Sequence, residues 1–304
     1  MRVVAFGGGH GLSASLRALR QVLGLELTAV VTVADDGGSS GRLRAERGVL
    51  PPGDLRQALA ALAGDDAAAR LFQYRFGGAD PLAGHPVGNL VLCGLMELHP
   101  DPVVALDEAA ALLRVSGRVL PMSRVPLSID ADVLDPDGTV RLLRGQHAVA
   151  ITRSHVEAVR ISPNAPPACT EAVTAVRDAD WLIFGPGSWY TSVIPHLLVP
   201  QLAAAIQASP ARRLVTLNLA AEKETASLSL PDHLAALTRY LPGLRADVVL
   251  ADGKAVGDPE PVDRASESLG ARLVLAPVAV EDGGPRHDPS ALAAALSGIL
   301  AAGR

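Results

Sequence analysis

Aromatic side chains make up only 3% of this 304-residue chain, too few to build a base-stacking platform for single-stranded nucleic acid. Positive charge is not in excess either. Twenty-seven Lys and Arg stand against 32 Asp and Glu, a formal charge of -5, which excludes a general nucleic-acid-binding surface. Cysteine is almost missing: Cys93 and Cys169 stand alone, without a C-x-x-C pair or a disulfide framework, and suit a reducing cytoplasm. Residues 181–211 carry no formal charge, yet Gly185, Pro186, Gly187, Pro195, Pro200 and Pro210 interrupt them. No apolar run reaches the roughly 18 to 20 residues of a spanning helix, so no membrane insertion is expected. The first residues enter a strand at once and leave no room for a signal peptide. We therefore expect a cytoplasmic protein.

What the chain does hold is apolar residues (49%), 29 Gly and 23 Pro, enough for a large core. The run Val3-Val4-Ala5-Phe6 passes into Gly7-Gly8-Gly9-His10-Gly11 and then Leu12-Ser13: a strand, a glycine turn and a helix start. Such a turn brings backbone N–H groups and a positive helix end to an anion, so Gly8, Gly9, His10, Gly11 and Leu12 are candidate phosphate contacts. Two familiar spellings fail here. The third glycine of G-x-G-x-x-G would fall on Leu12, and the lysine of the P-loop is missing. No H-E-x-x-H zinc motif occurs.

Leu12, Leu16, Leu19 and Leu23 recur at helical spacing, and residues 27–33 read as a strand buried on both faces, completing a βαβ unit. Asp35 and Asp36 follow that strand. An acid in this position accepts hydrogen bonds from ribose hydroxyls in dinucleotide-binding units, and two adjacent carboxylates could instead hold Mg²⁺. Asp54, after Pro51-Pro52-Gly53, reads as a helix N-cap that can still face a site. Gly84 to Asn89 read as a glycine loop before a helix, with Gly88 and Asn89 as candidate ligand contacts and His85 as a polar reader. Short β-like pieces at 129–134 and 139–143, joined by Asp135-Pro136-Asp137-Gly138, predict a hairpin, with another strand at 156–161. A second α/β series repeats the opening design: strand 181–184, turn Gly185-Pro186-Gly187, then Ser188, Thr191 and Ser192 as hydroxyl donors at a helix start. Asn218 ends the next strand. Residues 252–267 read as an exposed charged link, and 290–300 as a closing helix.

The stretches GGGHGLS, VTVADDGGSSGRLR, GVLPPGDLRQALAAL, LFQYRF, GHPVGNL, SGRVLP, GPGSWYTSVIPHLLVP and PDHL together resemble the YvcK proteins, the gluconeogenesis factors related to 2-phospho-L-lactate transferase. The resemblance implies an α/β, three-layer α/β/α Rossmann-like fold with a mainly parallel sheet and a small antiparallel hairpin insertion. It is read as one domain over residues 1–304, with 126–161 as a β-rich insertion or edge and 252–304 extending the same sheet. It further implies a nucleotide or nucleotide-sugar ligand of the UDP-sugar type, such as UDP-N-acetylglucosamine, and a regulatory role in carbon and cell-envelope metabolism and cell shape. The transferase relatives imply the alternative, Mg²⁺-dependent transfer from a nucleotide-activated donor. NAD is a third ligand, since Asp35 stands where a ribose-binding acid belongs. A homo-oligomer without nucleic-acid partners is expected. Gly8, Gly9, Gly11, Asp35, Asp36, Asp54, Gly88, Asn89, Gly185 and Ser188 fall within the shared motifs, and with Gly187 and Asn218 complete the candidate site. The chain departs from the pattern at His10, where threonine is usual, at Pro86-Val87, and at Asn218 to Thr225, where a Thr-Gln-Pro-Gly sequence is usual before Glu224-Thr225.

Overall fold

The computed structural model describes residues 1–302. Seven strands form the main sheet: β1 (Arg2–Gly7), β2 (Glu26–Val31), β3 (Arg118–Pro121), β7 (Trp181–Phe184), β8 (Arg212–Thr216), β9 (Val248–Ala251) and β10 (Arg272–Leu275). Their order is β10-β9-β8-β7-β1-β2-β3, and every neighbouring pair is parallel. Strands covered on both faces must be apolar throughout. Accordingly Val3 to Phe6 and all of β7 and β9 are buried, and Phe6 stacks on Phe184 across the β1/β7 pair with ring centroids 4.9 Å apart.

Between β1 and β2 runs α1 (Gly9–Leu19). Between β2 and β3 run α2 (Gly38–Arg47), α3 (Pro52–Leu62), α4 (Asp66–Gln73), α5 (Val87–Leu98) and a further helix Pro102–Leu112. Helix α1 packs on α3 and on the closing helix Pro289–Ala301, whereas Thr170–Asp178 packs on Pro200–Ala208. Right-handed crossovers put these two groups on opposite faces, which gives the three α/β/α layers. The chain builds outward from β1 through β2 to β3 and then returns to the other side of β1 to add β7. The carboxyl ends of β1 and β7 therefore flank the topological switch point, where crevices of open α/β sheets form.

The inserted segment is a separate sheet. Strands β4 (Ser128–Leu134), β5 (Val140–Arg144) and β6 (His155–Ser162) pair antiparallel in the order β5-β4-β6. The predicted hairpin is β4 and β5, and β6 joins β4 rather than the edge of the main sheet. Strand β4 alternates buried and half-buried residues, as one covered face requires. A helix that the sequence reading missed, Gln146–Ile151, connects β5 to β6. The link expected at 252–267 is likewise helical, at Gly253–Val256 and Glu260–Ser268. Asp252 organises it, accepting from Lys254 and Ala255 amides on one oxygen and from Val278 and Ala279 amides on the other.

Candidate functional site

The turn after β1 is built around an acid from α3. A Cβ on Gly8 would lie 2.5 Å from Asp54 Oδ2 and 2.6 Å from Thr32 Cγ2, so only glycine fits there. Gly9 follows in the left-handed region (φ 57°) and opens α1. Asp54 does not cap its own helix as expected. Pro51 holds the N-cap position of α3, which places Asp54 inside the first turn with its carboxyl against Gly8 and Gly9. It is 9% exposed. Burial and the neighbouring Asp35 push its pKa up to about 7, against the opposing pull of the Gly9 amide and Arg56. The candidate Leu12 is corrected too. Its amide bonds to Gly8 O at 3.3 Å and its side chain is buried in the core, so it has nothing to offer a ligand. His10 is exposed at the helix start.

Asp35 and Asp36 part company at the end of β2. Asp35 Oδ1 accepts from the Gly37 amide at 2.9 Å. Its Oδ2 lies 2.9 Å from where a Cβ on Gly53 would stand, a Cβ that would also overlap Ser40 Oγ. Asp35 thus faces Asp54. Asp36 faces the insertion instead: its Oδ1 accepts from the His147 amide at 2.8 Å, and a Cβ on Gly145 would overlap its Oδ2. Successive side chains of extended backbone point to opposite sides, and Asp36 spends its charge on the first turn of Gln146–Ile151. Of the two acids expected as a metal pair, Asp35 is the one that faces Asp54, and Asp36 faces the insertion. Arg44 of α2, electrostatically coupled to both Asp35 and Asp36, donates to Leu127 O (2.6 Å) and Ser128 Oγ (3.0 Å), tying the insertion to the same rim.

The turn after β7 meets the turn after β1. A Cβ on Gly11 would overlap the Pro186 carbonyl and lie 2.6 Å from Gly187 Cα, so the two backbones touch. Gly187 donates its N–H to Asn218 Oδ1 (2.8 Å) and accepts from Asn218 Nδ2 at its carbonyl (2.9 Å). Asn218 is accordingly a clamp on this turn, and the Gly187 N–H is already taken. Ser188 is half-buried at the start of a π-helical turn, Trp189–Val193. Thr191, expected as a ligand donor, is fully buried. Beneath the turn sits a group that the sequence reading passed over. Glu224 is 1% exposed, and its Oε1 accepts from the Tyr190 amide at 2.8 Å. Burial raises its pKa to about 7, with the Ser188 and Thr191 hydroxyls and the Tyr190 amide opposing and Glu222 adding to the rise. Its only sequence signal is the Glu-Thr pair that survives in an otherwise altered segment.

Gly88 and Asn89 lie in the first turn of α5, not in a loop. A Cβ on Gly88 would stand 2.5 Å from the Phe72 ring, so this glycine lets α5 approach α4. Asn89 is committed on both sides: Oδ1 accepts from Arg56 Nε (2.8 Å) and Nδ2 donates to Ser39 Oγ (2.9 Å), which is paired with His85 Nδ1 (2.8 Å). These residues form a cluster of their own between α2, α3 and α5. A cavity of about 600 Å³ opens at the amino ends of β1, β2 and β3, lined by Arg2, Glu26, Thr28, Arg118 and Asp178. It holds none of the predicted site residues and lies at the opposite end of the sheet from the crevice.

Sheet order, helix layers and the meeting of two glycine turns define a doubly wound α/β/α protein with its candidate site at the carboxyl ends of the strands. Residues 3–274 match the family model described as 2-phospho-L-lactate transferase CofD. The chain belongs to this CofD family, in the branch that holds the gluconeogenesis factors. It is 36% identical to the gluconeogenesis factor of Listeria monocytogenes, with 98% of this chain and 95% of that protein covered. It is 52% identical to a Mycobacterium tuberculosis protein that carries the same designation provisionally, with 98% and 90% covered. A crystal structure of a UPF0052-family member from Bacillus halodurans superposes with a TM-score of 0.86 at 34% identity, covering 97% of this chain and 98% of that one. No helix among the described residues is long and apolar enough to cross a membrane.

Proposed function

We propose that this chain is a nucleotide-sugar-binding regulator, of the UDP-sugar type, that connects carbon supply to cell-envelope metabolism. The observation that carries the reading is the meeting of two glycine turns at the switch point, Gly8 to Gly11 against Pro186 and Gly187. Beside that contact the His10 and Gly11 amides open α1, and the Gly9 amide is already turned to Asp54. The first turn of a helix leaves such N–H groups without intrahelical partners, and they suit phosphate oxygens. Asp35, in the turn after β2, lies beside Asp54 and is an acceptor for ribose hydroxyls. The names of the relatives, gluconeogenesis factors in Listeria and provisionally in Mycobacterium, support the metabolic setting.

One observation favours a second reading, metal-assisted transfer from a nucleotide donor. The convergence of Asp35 and Asp54 provides two carboxylates. Mg²⁺ is commonly held by one or two carboxylates plus water and substrate phosphates, so this donor set fits it. Asp35 and Asp54 would hold the ion, which would neutralise charge on the phosphates. Asp36 faces the insertion rather than Asp54 and is not part of this pair. NAD stands third, resting on Asp35 alone.

A thermal-shift screen with UDP-N-acetylglucosamine, GDP and NAD, each with and without Mg²⁺, orders the three. A ligand at about 100 times its Kd stabilises by about 2.7 kcal/mol, a shift of several degrees. Stabilisation by the UDP-sugar without metal supports the regulator; stabilisation by GDP only with Mg²⁺ replaces it with the transferase. No shift with any of them overturns the nucleotide reading.

A further inference from the structure

The cluster of Arg56, Asn89, Ser39 and His85 is used by neither reading above. Arg56 is 5% exposed, and its only hydrogen bond among the described residues runs from Nε to Asn89 Oδ1 at 2.8 Å. It has no carboxylate partner among the ion pairs of the described residues, the acids of which pair with other arginines. Its two Nη groups are absent from the fully sealed, unpaired atoms of the interior. They are therefore unpaired donors that solvent still reaches. Asp54 and Asp35 lie close enough to favour its charge, while burial and Arg75 lower its pKa to about 10, and the guanidinium stays charged at neutral pH. A buried charge without a paired partner is costly.

Other groups around it are also positive. Arg75 donates to the Gly84 carbonyl, and Arg42 donates to Ala83 O at 2.8 Å, placing both exposed arginines on the loop that ends in His85. Behind Arg56, the relay from His85 Nδ1 to Ser39 Oγ to Asn89 holds the side-chain amide, and the amide holds Nε. The free Nη edge is thus fixed in place before anything binds. A rigid guanidinium edge matches two oxygens of a phosphate. We propose that Arg56, with Arg75 and Arg42 at its mouth, is a phosphate-binding site backed by Asn89, Ser39 and His85. The site stands whether or not the glycine turns seat a nucleotide. Its phosphate is either free in solution or carried by the nucleotide ligand.

Asn89→Asp tests it by setting a carboxylate against Arg56 Nε in place of the amide, and Arg75→Gln tests the mouth without touching the core. Calorimetry with inorganic phosphate and with UDP-N-acetylglucosamine is run on each variant, and melting without ligand reports the fold. Wild-type protein should bind phosphate, Asn89→Asp should bind it at least tenfold more weakly with its melting temperature kept, and Arg75→Gln several-fold more weakly. If UDP-sugar binding falls in parallel, the site holds the phosphate of that ligand; if it is unchanged, the site takes free phosphate. Should Asn89→Asp fail to fold, Arg75→Gln decides. Affinities within twofold of wild type in the folded variants, or a wild type that binds neither probe, overturn the proposal.

Discussion

Glu224→Gln should make the protein more stable at alkaline pH, and the size of the gain follows from where the carboxyl sits. Burial raises its pKa from the ordinary 4.5 to about 7. Between those values the folded chain keeps a proton that the unfolded chain has released, so stability falls as pH rises, by about 1.4 kcal/mol for each pH unit. The cost is absent below about 4.5 and complete above about 7, where it reaches about 3 kcal/mol. Glutamine keeps an oxygen for the Tyr190 amide and never ionises. Urea unfolding of wild type and variant at pH 5 and pH 8 isolates the term, since all other groups cancel in the difference. We expect the variant to gain roughly 2 to 3 kcal/mol relative to wild type between the two pH values. A difference that does not change with pH, or that favours wild type at pH 8, would refute the burial argument.

Gly11→Ala drives a methyl into the Pro186 carbonyl and Gly187, where backbone faces backbone; we expect a loss of about 1 to 3 kcal/mol or more by denaturant unfolding and weaker nucleotide binding by calorimetry. Gly88→Ala meets the Phe72 ring and should cost a similar amount in unfolding, while leaving Kd unchanged once folded. Asn218→Ala removes both bonds to Gly187 and leaves a buried amide unsatisfied, about 1 to 3 kcal/mol, with a larger fractional loss in ligand affinity than in melting temperature. Asp36→Ala frees the His147 amide and should speed proteolytic cleavage within residues 126–161 with the main sheet intact.

The strands of the main sheet were legible because burial on both faces leaves an apolar run; the predicted strand at 181–184 coincides with β7. The glycines were legible as places that reject a Cβ, but sequence does not say what fills the space. At Gly8 it is Asp54, 46 residues away, at Gly11 it is Pro186, and at Gly88 it is Phe72. Only a fold can make those introductions. Asp35 and Asp36 were read as a unit because they are adjacent, whereas extended backbone sends them to different partners. Glu224 was missed for the opposite reason. It lies in a polar stretch that reads as surface, and its burial comes from elements packed over it from elsewhere in the chain.

The two acids with raised pKa occupy matching places. Asp54 meets the Gly9 amide at the start of α1, and Glu224 meets the Tyr190 amide at the start of the π-helical turn. Each turns its carboxyl to the positive end of a helical segment, but Glu224 is sealed from solvent and only Asp54 lies beside the amides proposed for phosphate. On the proposed reading a phosphate arriving without metal shares the start of α1 with Asp54, and it binds best while Asp54 holds its proton. UDP-sugar affinity should then fall as pH rises through about 7, by at most tenfold per pH unit, and the phosphates of a UDP-sugar do not themselves titrate in this range. Mg²⁺ on Asp35 and Asp54 reverses the sign, because the ion needs Asp54 ionised and competes with its proton. Titrating binding between pH 6 and pH 8 in EDTA and again in Mg²⁺ therefore separates the two readings by direction alone. An affinity that rises with pH only when Mg²⁺ is present places the metal on the Asp35 and Asp54 pair, and one that falls in both conditions removes it.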